Sequence, residues 1–532
     1  MRKKKSQKEK LEARKRRKKI VKRVVKVFLL VLYCFLFFLS FALISSTNWT
    51  LDNYGFDSFN QILYTITSPV TSASSDLIWD FILENIFIPL GIVLCFVIAI
   101  LIIRYLFRHS SIYFNMKLGK KDVLILLRNN WFFKTIYVLI PILLLGYSIY
   151  YSMDKLYIFD YIKSSSETSD FIELEYVDPK DVDIKFPNKK KNLIYIYLES
   201  METTYMNKKN GGAYTTNYIP ELTDLAKENL NFSYTDNLGG PTNYYGATWT
   251  MGGIVAATAG IPIKSTIHPN TKEFYQNGVV SGAYSLGDIL EENGYHNYMM
   301  VGSDIEFGGR ETYLTSHGDY TLYDYYTAID EEVIDEDYYV WWGMEDDILF
   351  DWAKEKLTEI SKKDEPFNFT MLTVDTHANE GYVSDFCEDK YDDSYLNAIS
   401  CSSMQVAEFV DWIQKQDFYE DTTVILSGDH LSMNNTIFNE IPNGYFRSLY
   451  NVFLNSSVDT DCNKNRTFST FDFFPTTLAS LGAEIDGERL GLGTNLFSCK
   501  KTLGEIYGNQ YINDNLNKTS SFYDDYLLNQ KS

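Results

Sequence analysis

Two apolar runs in the second half of the chain lead into side chains that can hold a divalent cation. LIYIYL (193–198) is followed by Glu199, and TVIL (423–426) leads through a Ser-Gly pair to Asp429 and His430. Two carboxylates and an imidazole form an O,O,N ligand set that suits Mn²⁺ or Zn²⁺. Considered one at a time, Glu199 could instead cap a helix, and Asp429-His430 could form an ordinary turn. Their shared position after apolar runs favours metal ligation.

Two further apolar runs end in polar residues of the same kind. One closes at residue 374 and is followed by Asp375 and His377, and the other closes at residue 301 and is followed by Asp304 and Arg310. If the four runs are strands of one α/β sheet, chemistry collects just beyond their carboxyl ends. We therefore expect carboxylates, imidazoles and a guanidinium group to meet at one edge of that sheet.

Residues 239–253 (GGPTNYYGATWTMGG) supply a candidate nucleophile. Small and hydroxyl residues followed by an apolar run are typical of a loop that enters a helix, whose first N–H groups can bind an anion. A divalent cation could activate a hydroxyl there, because it lowers the pKa of an oxygen that it binds. Thr248 and Thr250 are both candidates, and ordinary N-capping by either explains this stretch equally well.

An α/β sheet is needed to position these side chains, and the sequence pattern predicts one. Short apolar runs alternate with helical segments, which is typical of an α/β domain. The predicted strands are 193–198, 298–301, 369–374 and 423–426, and the predicted helices are 220–229, 286–293, 346–360, 402–415 and 473–481.

Charge divides the chain into a basic and an acidic part. Residues 1–152 contain 22 Lys and Arg against 8 Asp and Glu, and the remaining residues contain 27 against 62. The acidic part argues against nucleic acid as a partner, because phosphate binding requires a basic face. The basic tail, residues 1–23, could be an RNA-binding arm. An apolar run follows it directly, which favours a cytoplasmic tail held by anionic lipid.

Three apolar runs, about 24–44, 86–107 and 132–151, are long enough to span a bilayer. A cleaved signal peptide is the alternative for the first run, but its apolar stretch is too long and no small-residue cleavage site stands out. The loop between the first two runs has no Lys or Arg, whereas basic residues lie around and between the second and third. The positive-inside rule therefore predicts a cytoplasmic N-terminus and an extracytoplasmic remainder.

These patterns predict a multi-pass protein of a bacterial-type plasma or inner membrane. After the tail come a three-helix transmembrane module (24–152), a stalk (153–191), an extracytoplasmic catalytic domain (192–500) and a polar C-terminal tail (501–532). The catalytic domain contains Cys387, Cys401, Cys462 and Cys499, in a compartment that permits disulfides. Their spacing does not resemble a zinc ribbon, and 387–401 with 462–499 is the simplest of the three pairings.

The outer domain resembles the phosphoglycerol transferases of the alkaline phosphatase/sulfatase superfamily, which include the osmoregulated-glucan phosphoglycerol transferase and lipoteichoic acid synthase. This resemblance covers about residues 190–500 and implies an α/β fold with a mixed sheet flanked by helices. It rests on the ordered motifs LIYIYLES (193–200), GATWTMGGIVAATAGIPI (246–263), FGGRETYLTSHG (307–318), VDTHANEGYVSDFC (374–387), SGDH (427–430), STFDFFPTTLASLG (469–482) and ERLGLG (488–493). The lipoteichoic acid branch has Trp where this chain has Gly308, which favours the glucan-type branch.

The resemblance implies roles for the residues at the predicted sheet edge. The threonine after the tryptophan of the WT motif matches the nucleophile, which selects Thr250 over Thr248. Glu199, Asp429 and His430 match metal-binding positions, and Thr250 is a fourth metal contact.

Four more residues are candidates for binding substrate by the same resemblance. Arg310 and His377 match positions that hold the lipid phosphate and assist catalysis, and Asp304 is grouped with them. His317, within the SHG motif, could contact the substrate or have a structural role.

The implied reaction transfers phosphoglycerol in two steps. Thr250, activated by Mn²⁺ (or by Mg²⁺ or Zn²⁺), attacks the phosphorus of phosphatidylglycerol and releases diacylglycerol. A hydroxyl of a cell-envelope glycan or glycerophosphate polymer then accepts the group. The alternatives are a phosphoethanolamine transferase, a sulfatase-like phosphodiesterase or hydrolase, and an inactive lipid-sensing module. A sulfatase would need Cys or Ser in a C/S-x-P-x-R context, and no cysteine lies between Cys95 and Cys387.

Overall fold

The computed structural model describes residues 7–67, 75–106, 113–118, 121–126, 131–265, 278–378, 380–434 and 437–528. The chain forms two compact units. The small unit comprises Met1–Asp52 and Ser74–Ile158, and the large unit comprises Asn53–Ala73 and Phe159–Ser532. The residues with predicted chemical roles all belong to the large unit.

Long apolar helices dominate the small unit. Its elements are α1 (Gln7–Tyr54), α3 (Ser75–Ile82), a π-helix (Leu83–Phe87), α4 (Ile88–Leu106), a hairpin of β1 (Tyr113–Leu118) and β2 (Lys121–Leu126), and α5 (Trp131–Lys155). Among the described residues, two stretches, Glu9–Tyr54 and Ile78–Ile102, are long and apolar enough to cross a membrane. They coincide with the first two predicted spans and are consistent with membrane anchoring.

The third predicted span, residues 132–151, falls within α5. Side chains at the start of α5 lie outside the described residues, and α5 is not among the two stretches that meet the criterion for a span. The structure therefore supports two spans rather than the predicted three, and a third crossing stays a prediction.

A six-stranded mixed sheet forms the centre of the large unit, as the α/β pattern predicts. Its strand order is β6–β5–β7–β4–β8–β9, and every neighbouring pair is parallel except β8 with β9. The strands are β4 (Asn192–Leu198), β5 (His296–Val301), β6 (Thr321–Tyr323), β7 (Phe367–Leu372), β8 (Thr422–Gly428) and β9 (Asn451–Leu454). The four predicted strands are therefore the adjacent strands β5, β7, β4 and β8.

Both faces of this sheet are buried, which explains the continuous apolar runs of its central strands. Along β4, Ile194, Ile196 and Leu198 belong to one core cluster, whereas Tyr195 and Tyr197 belong to the other. The alternation follows from the two-residue period of a strand.

Helices cover the sheet and largely match the predicted ones. Ser394–Gln414 begins earlier than predicted, because Asp393 accepts a hydrogen bond from the N–H of Leu396 and caps it there. The helices of the large unit are α2 (Phe59–Thr67), α6 (Ile158–Ser165), α7 (Phe171–Glu175), α8 (Pro220–Glu228), α9 (Thr250–Ala259), α10 (Leu286–Glu292), α11 (Arg310–Ser316), α12 (Tyr325–Asp330), α13 (Asp346–Ile360), α14 (Ser394–Gln414), α15 (Phe473–Ser480), α16 (Leu503–Tyr507) and α17 (Asn509–Leu516).

Residues 159–191 of the predicted stalk and residues 501–528 of the predicted C-terminal tail are folded parts of the large unit, which corrects both boundaries. Within 153–191, Phe171 and Ile172 are buried in the core, and strand β3 (Ile184–Lys185) pairs with β10 (Glu484–Ile485). Within 501–532, Tyr523 is fully buried in the same core. A few apolar residues in a polar background give little periodicity, so the sequence pattern does not reveal these contacts.

The four cysteines of the large unit form the two predicted disulfides. Cys387 is bonded to Cys401, and Cys462 is bonded to Cys499. The first disulfide joins the segment after His377 to α14, and the second joins two loops near the C-terminal end of the unit.

Candidate active site

The three predicted metal ligands emerge side by side from neighbouring strands. Strands β4 and β8 pair in parallel with Leu198 opposite Gly428, so Glu199 and Asp429 leave the sheet at the same level. The Nε2 atom of His430 lies 3.3 Å from Glu199 Oε1 and 3.4 Å from Asp429 Oδ2. One ligand atom from each of the three residues fits within a separation of 4.8 Å. All three side chains are buried.

The imidazole of His430 is oriented for metal binding. Its Nδ1 lies 2.9 Å from the carbonyl oxygen of Leu431. A carbonyl oxygen only accepts hydrogen bonds, so Nδ1 carries a proton and Nε2 faces the carboxylates, where a cation could replace its proton. Metal-bound histidines commonly use the same backbone contact to fix their tautomer.

A buried carboxylate oxygen of Asp429 is left for a cation. Its Oδ1 accepts hydrogen bonds from the N–H groups of Ser200 and His430, both at 2.8 Å. Its Oδ2 is buried and accepts no hydrogen bond within the described chain. Such an orphaned oxygen is costly unless it is paired with a cation or a proton. The donor set and this oxygen therefore fit a divalent cation.

The electrostatics of the site also favour positive charge. Burial lowers the pKa of His430, but Asp429 and Glu199 outweigh burial and raise that pKa to about 10. Burial and Glu199 together raise the pKa of Asp429 to about 7. Two carboxylates therefore compete for a single proton on one imidazole, and a divalent cation would satisfy both.

The structure places Thr250, rather than Thr248, beside the candidate cation site. Thr250 is the first residue of α9, and its Oγ1 lies 3.4 Å from both Glu199 Oε2 and His430 Nε2. Thr248 instead donates a hydrogen bond to Asp57 at 3.0 Å. The two threonines that the loop pattern leaves tied thus have different surroundings.

Helix α9 approaches the metal-ligand loop closely because Gly253 has no side chain. A Cβ at this position would lie 2.2 Å from the backbone oxygen of Asp429. The helix backbone therefore packs directly on the residue that follows β8, which brings Thr250 to the ligand cluster.

Arg310 is buried near the cluster and retains free hydrogen-bonding capacity. Its Nη2 donates to Ser303 Oγ at 3.0 Å and to the carbonyl oxygen of Asp304 at 2.6 Å. Its Nε is buried without a partner, and within the described residues the guanidinium forms no ion pair. Burial lowers the pKa of Arg310 to about 10, which leaves it charged at neutral pH. An uncompensated guanidinium is suited to an anionic ligand.

His377 lies on the loop beyond β7. Its Nδ1 donates to the carbonyl oxygen of Ala378 at 2.8 Å, and its ring packs against Trp342 with 4.7 Å between centroids. Burial lowers the pKa of His377 although the charge of Glu199 opposes this. The imidazole is therefore neutral at neutral pH, with the Nε2 lone pair available to accept a proton.

Asp304 and His317 have contacts of a different kind. Asp304 shapes the loop that holds Arg310, because its Oδ1 accepts the N–H of Glu306 at 2.8 Å. His317 is buried, and its ring nitrogens lie 3.1 Å from Asp288 Oδ2 and 3.1 Å from the carbonyl oxygen of Val279. This geometry favours a structural role for His317 over a substrate contact.

Two residues that orient the site are not among the site residues predicted from the sequence. Asp346, at the start of α13, accepts the N–H groups of Val374 and Asp375 at 2.8 and 3.1 Å. Thr376 donates to the backbone oxygen of Glu199. Among these residues only Thr376 lies beside a predicted site residue, within the DTH motif. Asp346 opens a predicted helix and looks like an ordinary first-turn acid.

Comparison with known proteins gives a family and a group of relatives. Residues 191–483 match the Sulfatase family, which covers more than half of the chain. Phosphoglycerol transferase I of Escherichia coli O127:H6 is 31% identical over 480 residues, which are 88% of this chain and 57% of that protein. The protein of the same name from Shigella boydii matches to the same extent. This chain therefore spans just over half the length of these relatives.

Two solved structures are similar to this chain over most of their own length. A lipoteichoic acid synthase from Listeria monocytogenes shares 18% identity at a TM-score of 0.46, over 62% of this chain and 82% of that one. Lipooligosaccharide phosphoethanolamine transferase A from Neisseria meningitidis shares 13% identity at a TM-score of 0.45, over 84% of this chain and 83% of that one.

Proposed function

The chain belongs to the sulfatase family, and we propose that it is a membrane-anchored, metal-dependent transferase of phosphoglycerol groups. The observation that carries this proposal is a half-buried threonine hydroxyl, Thr250 Oγ1, 3.4 Å from two candidate metal ligands at a helix N-terminus. The similarity to phosphoglycerol transferase I supports the choice of group.

Glu199, Asp429 and His430 would hold the cation, for which we propose Mn²⁺, with Mg²⁺ and Zn²⁺ as alternatives. A cation bound there would lower the pKa of the Thr250 hydroxyl and offset charge on the phosphoryl group. The mixed oxygen and nitrogen ligand set suits Mn²⁺ and Zn²⁺ better than it suits Mg²⁺.

In the first step, Thr250 Oγ forms a bond to the phosphorus of phosphatidylglycerol as the bond from phosphorus to the diacylglycerol oxygen breaks. Neutral His377 accepts the threonine proton at Nε2 and passes it to the leaving oxygen. The guanidinium of Arg310 stabilises the phosphoryl oxygens, for which its unpaired Nε–H is available. The product is glycerophospho-threonine and free diacylglycerol.

The second step regenerates the enzyme. A hydroxyl of the acceptor forms a bond to phosphorus as the bond from Thr250 Oγ to phosphorus breaks. His377 accepts the proton of that hydroxyl and passes it to Thr250. We propose a cell-envelope glycan or a glycerophosphate polymer as the acceptor, since both carry free hydroxyl groups.

The proposed donor agrees with a membrane anchor. The apolar stretches Glu9–Tyr54 and Ile78–Ile102 would tether the enzyme to the bilayer in which phosphatidylglycerol resides. We propose a multi-pass arrangement with the large unit outside the cytoplasm, because basic residues cluster in the N-terminal tail and the second loop.

Arg310 also helps to explain how an acidic domain could bind an anionic lipid. The second part of the chain is strongly acidic, whereas the proposed donor is an anion. A buried guanidinium without an ion pair among the described residues, together with a bound cation, would create a local positive region.

The residue at the start of α9 bears differently on two related activities. A phosphoethanolamine transferase would use the same nucleophile with another lipid, and remains the alternative. Sulfate-ester hydrolysis is disfavoured because the residue at the start of α9 is Thr250 rather than the Cys or Ser of a sulfatase.

The full-length protein in phosphatidylglycerol vesicles with Mn²⁺ tests this proposal. We expect it to release diacylglycerol, and we expect Thr250→Ala to lower the rate by at least about a thousandfold, because the nucleophile is lost. Thr248→Ala is the matched control, since that hydroxyl donates to Asp57 instead, and should retain activity. Undiminished release by Thr250→Ala contradicts the assignment. Phosphatidylethanolamine vesicles would identify the alternative donor.

A further inference from the structure

A short segment from the N-terminal part of the chain belongs to the large unit. Residues Asn53–Thr67, which we call the wall segment, lie between the two apolar stretches in sequence and comprise the end of α1, a turn and helix α2. Within it Phe56, Asn60, Ile62 and Tyr64 are each less than a tenth exposed. A segment this deeply buried is an integral part of the fold of the large unit.

The amide of Asn60 anchors the wall segment to the chain that follows α9. Its Nδ2 donates to the carbonyl oxygen of Ile263 at 2.9 Å, and its Oδ1 accepts the N–H of Ser265 at 2.6 Å. Gly55 lies so close to Met433 that a Cβ on it would be 2.3 Å from the Met433 backbone oxygen. Asn60 and Gly55 therefore hold the segment near both the nucleophile helix and the metal-ligand loop.

Tyr64 connects the two loops that the proposed reaction uses. Its ring packs on Trp249, directly before Thr250, with 5.2 Å between centroids. Its hydroxyl donates to the carbonyl oxygen of Gly308 at 2.6 Å, two residues before Arg310.

The loop that Tyr64 reaches contains two glycines in the left-handed region of backbone conformation. Gly308 and Gly309 adopt φ angles of +68° and +78°, in the left-handed region where glycine is favoured. A Cβ on Gly308 would meet no atom within 4 Å, so this residue has open space on that side. Glycine pairs of this kind have wide conformational freedom, so the hydrogen bond from Tyr64 adds a constraint to those that the loop makes within itself.

We infer that Tyr64 is a positioning residue that sets the distance between the Thr250 nucleophile and the Arg310 guanidinium. The large unit is then discontinuous in sequence, because the wall segment, which lies between the two apolar stretches, forms one side of its active site. The inference rests on the proposed function for the roles of Thr250 and Arg310. A nucleophile and a phosphate-binding group must be aligned closely for transfer, so a small displacement lowers kcat strongly.

The test uses Tyr64→Phe in the full-length protein, which keeps the ring on Trp249 and removes the hydrogen bond to Gly308. Tyr295→Phe is the matched control. Tyr295 is also buried, and its hydroxyl also donates to a backbone oxygen, that of Lys191, at 2.8 Å. It lies at the amino end of β5, the opposite sheet edge from the site.

Kinetics in phosphatidylglycerol vesicles should separate the two variants. We expect Tyr64→Phe to lower kcat by about tenfold to a hundredfold and to change KM by less than about threefold. We expect Tyr295→Phe to retain the kcat and the KM of the wild type. Equal losses in the two variants, or a loss that follows the unfolding temperature, would overturn the inference.

Hydrogen–deuterium exchange supplies a readout that does not depend on substrate. In Tyr64→Phe, the amides of residues 305–312 should exchange faster than in the wild type. In Tyr64→Ala, the amides of residues 246–253 should also exchange faster. Exchange in β4 and β8 should be unchanged in both variants. Unaltered exchange in both segments rejects the role of Tyr64, even if the wild type is active. If the wild type releases no diacylglycerol but the local exchange rises as stated, the proposed donor fails and the positioning role stands.

Discussion

The candidate site has two halves that the fold builds in different ways. The cation half, Glu199, Asp429 and His430, emerges within two residues of the ends of β4 and β8, two strands paired in register. In the transfer half, Arg310 is the first residue of α11, which follows β5 through a loop, and His377 lies on the loop beyond β7. Sheet hydrogen bonds place the first half, whereas side-chain contacts place the second.

This difference determines how each half responds to change. The backbone of the cation half continues directly from two buried strands, so we expect substitutions there to alter chemistry with little displacement. Orientation in the transfer half depends on a few local contacts of each side chain, such as those of Arg310 with Ser303 and of His377 with Trp342. We therefore expect abrupt loss in the first half and graded loss in the second.

The largest effect is expected in the cation half. Asp429→Asn keeps the shape of the side chain but removes the charge of the orphaned Oδ2, so both cation binding and transfer should fail. We expect diacylglycerol release to fall at least about a thousandfold, and chelation of the wild type to cause the same loss until Mn²⁺ is restored. An active, chelator-resistant enzyme would break the comparison by showing that the cation half is structural.

A smaller effect is expected in the transfer half. Arg310→Lys keeps a positive charge but loses the fork of donors that binds Ser303 and a phosphoryl oxygen, so kcat should fall about a hundredfold. Arg489→Lys is the control, since Arg489 pairs with Glu175 away from the site and should retain activity. A loss as complete as that of Asp429→Asn would show that the two halves do not differ as we describe.

The smallest effect is a pH dependence that originates in the transfer half. Burial holds the pKa of His377 below its ordinary value of 6.5, and a bound cation would lower it further. Neutral His377 is the form that accepts a proton, so activity should be full at neutral pH and fall as pH drops through that lowered pKa. His377→Asn should be slower and should lose this acidic limb. An acidic limb that persists in the variant assigns the titration to another group.

The sequence predicts the cation half better than any other part of the molecule. Glu199 and Asp429 follow short apolar runs that the pattern predicts as strands, and parallel pairing then brings them together. The choice between Thr248 and Thr250 needs more, because both lie in one polar loop. Only a family resemblance or the three-dimensional contacts distinguish them.

The contacts that complete the site are long-range and leave no local pattern. Tyr64 is 185 positions from Trp249, and Phe171 joins the core from a segment whose composition resembles a stalk. Periodicity reports only on neighbours along the chain, so packing partners at this distance are invisible to it. The wall segment is the clearest case, since its sequence indicates only a loop between two apolar stretches.

Mass spectrometry of the protein trapped with phosphatidylglycerol tests the central claim most directly. The full-length protein, incubated with the lipid and Mn²⁺ without acceptor and quenched in acid, should carry one glycerophosphate group on the peptide that contains Thr250. The Thr250→Ala protein should carry none, and Thr248→Ala should carry the group as the wild type does. A phosphoethanolamine adduct, formed when phosphatidylethanolamine is also present, would identify that lipid as the donor in place of phosphatidylglycerol. Diacylglycerol release without any adduct would contradict the covalent mechanism.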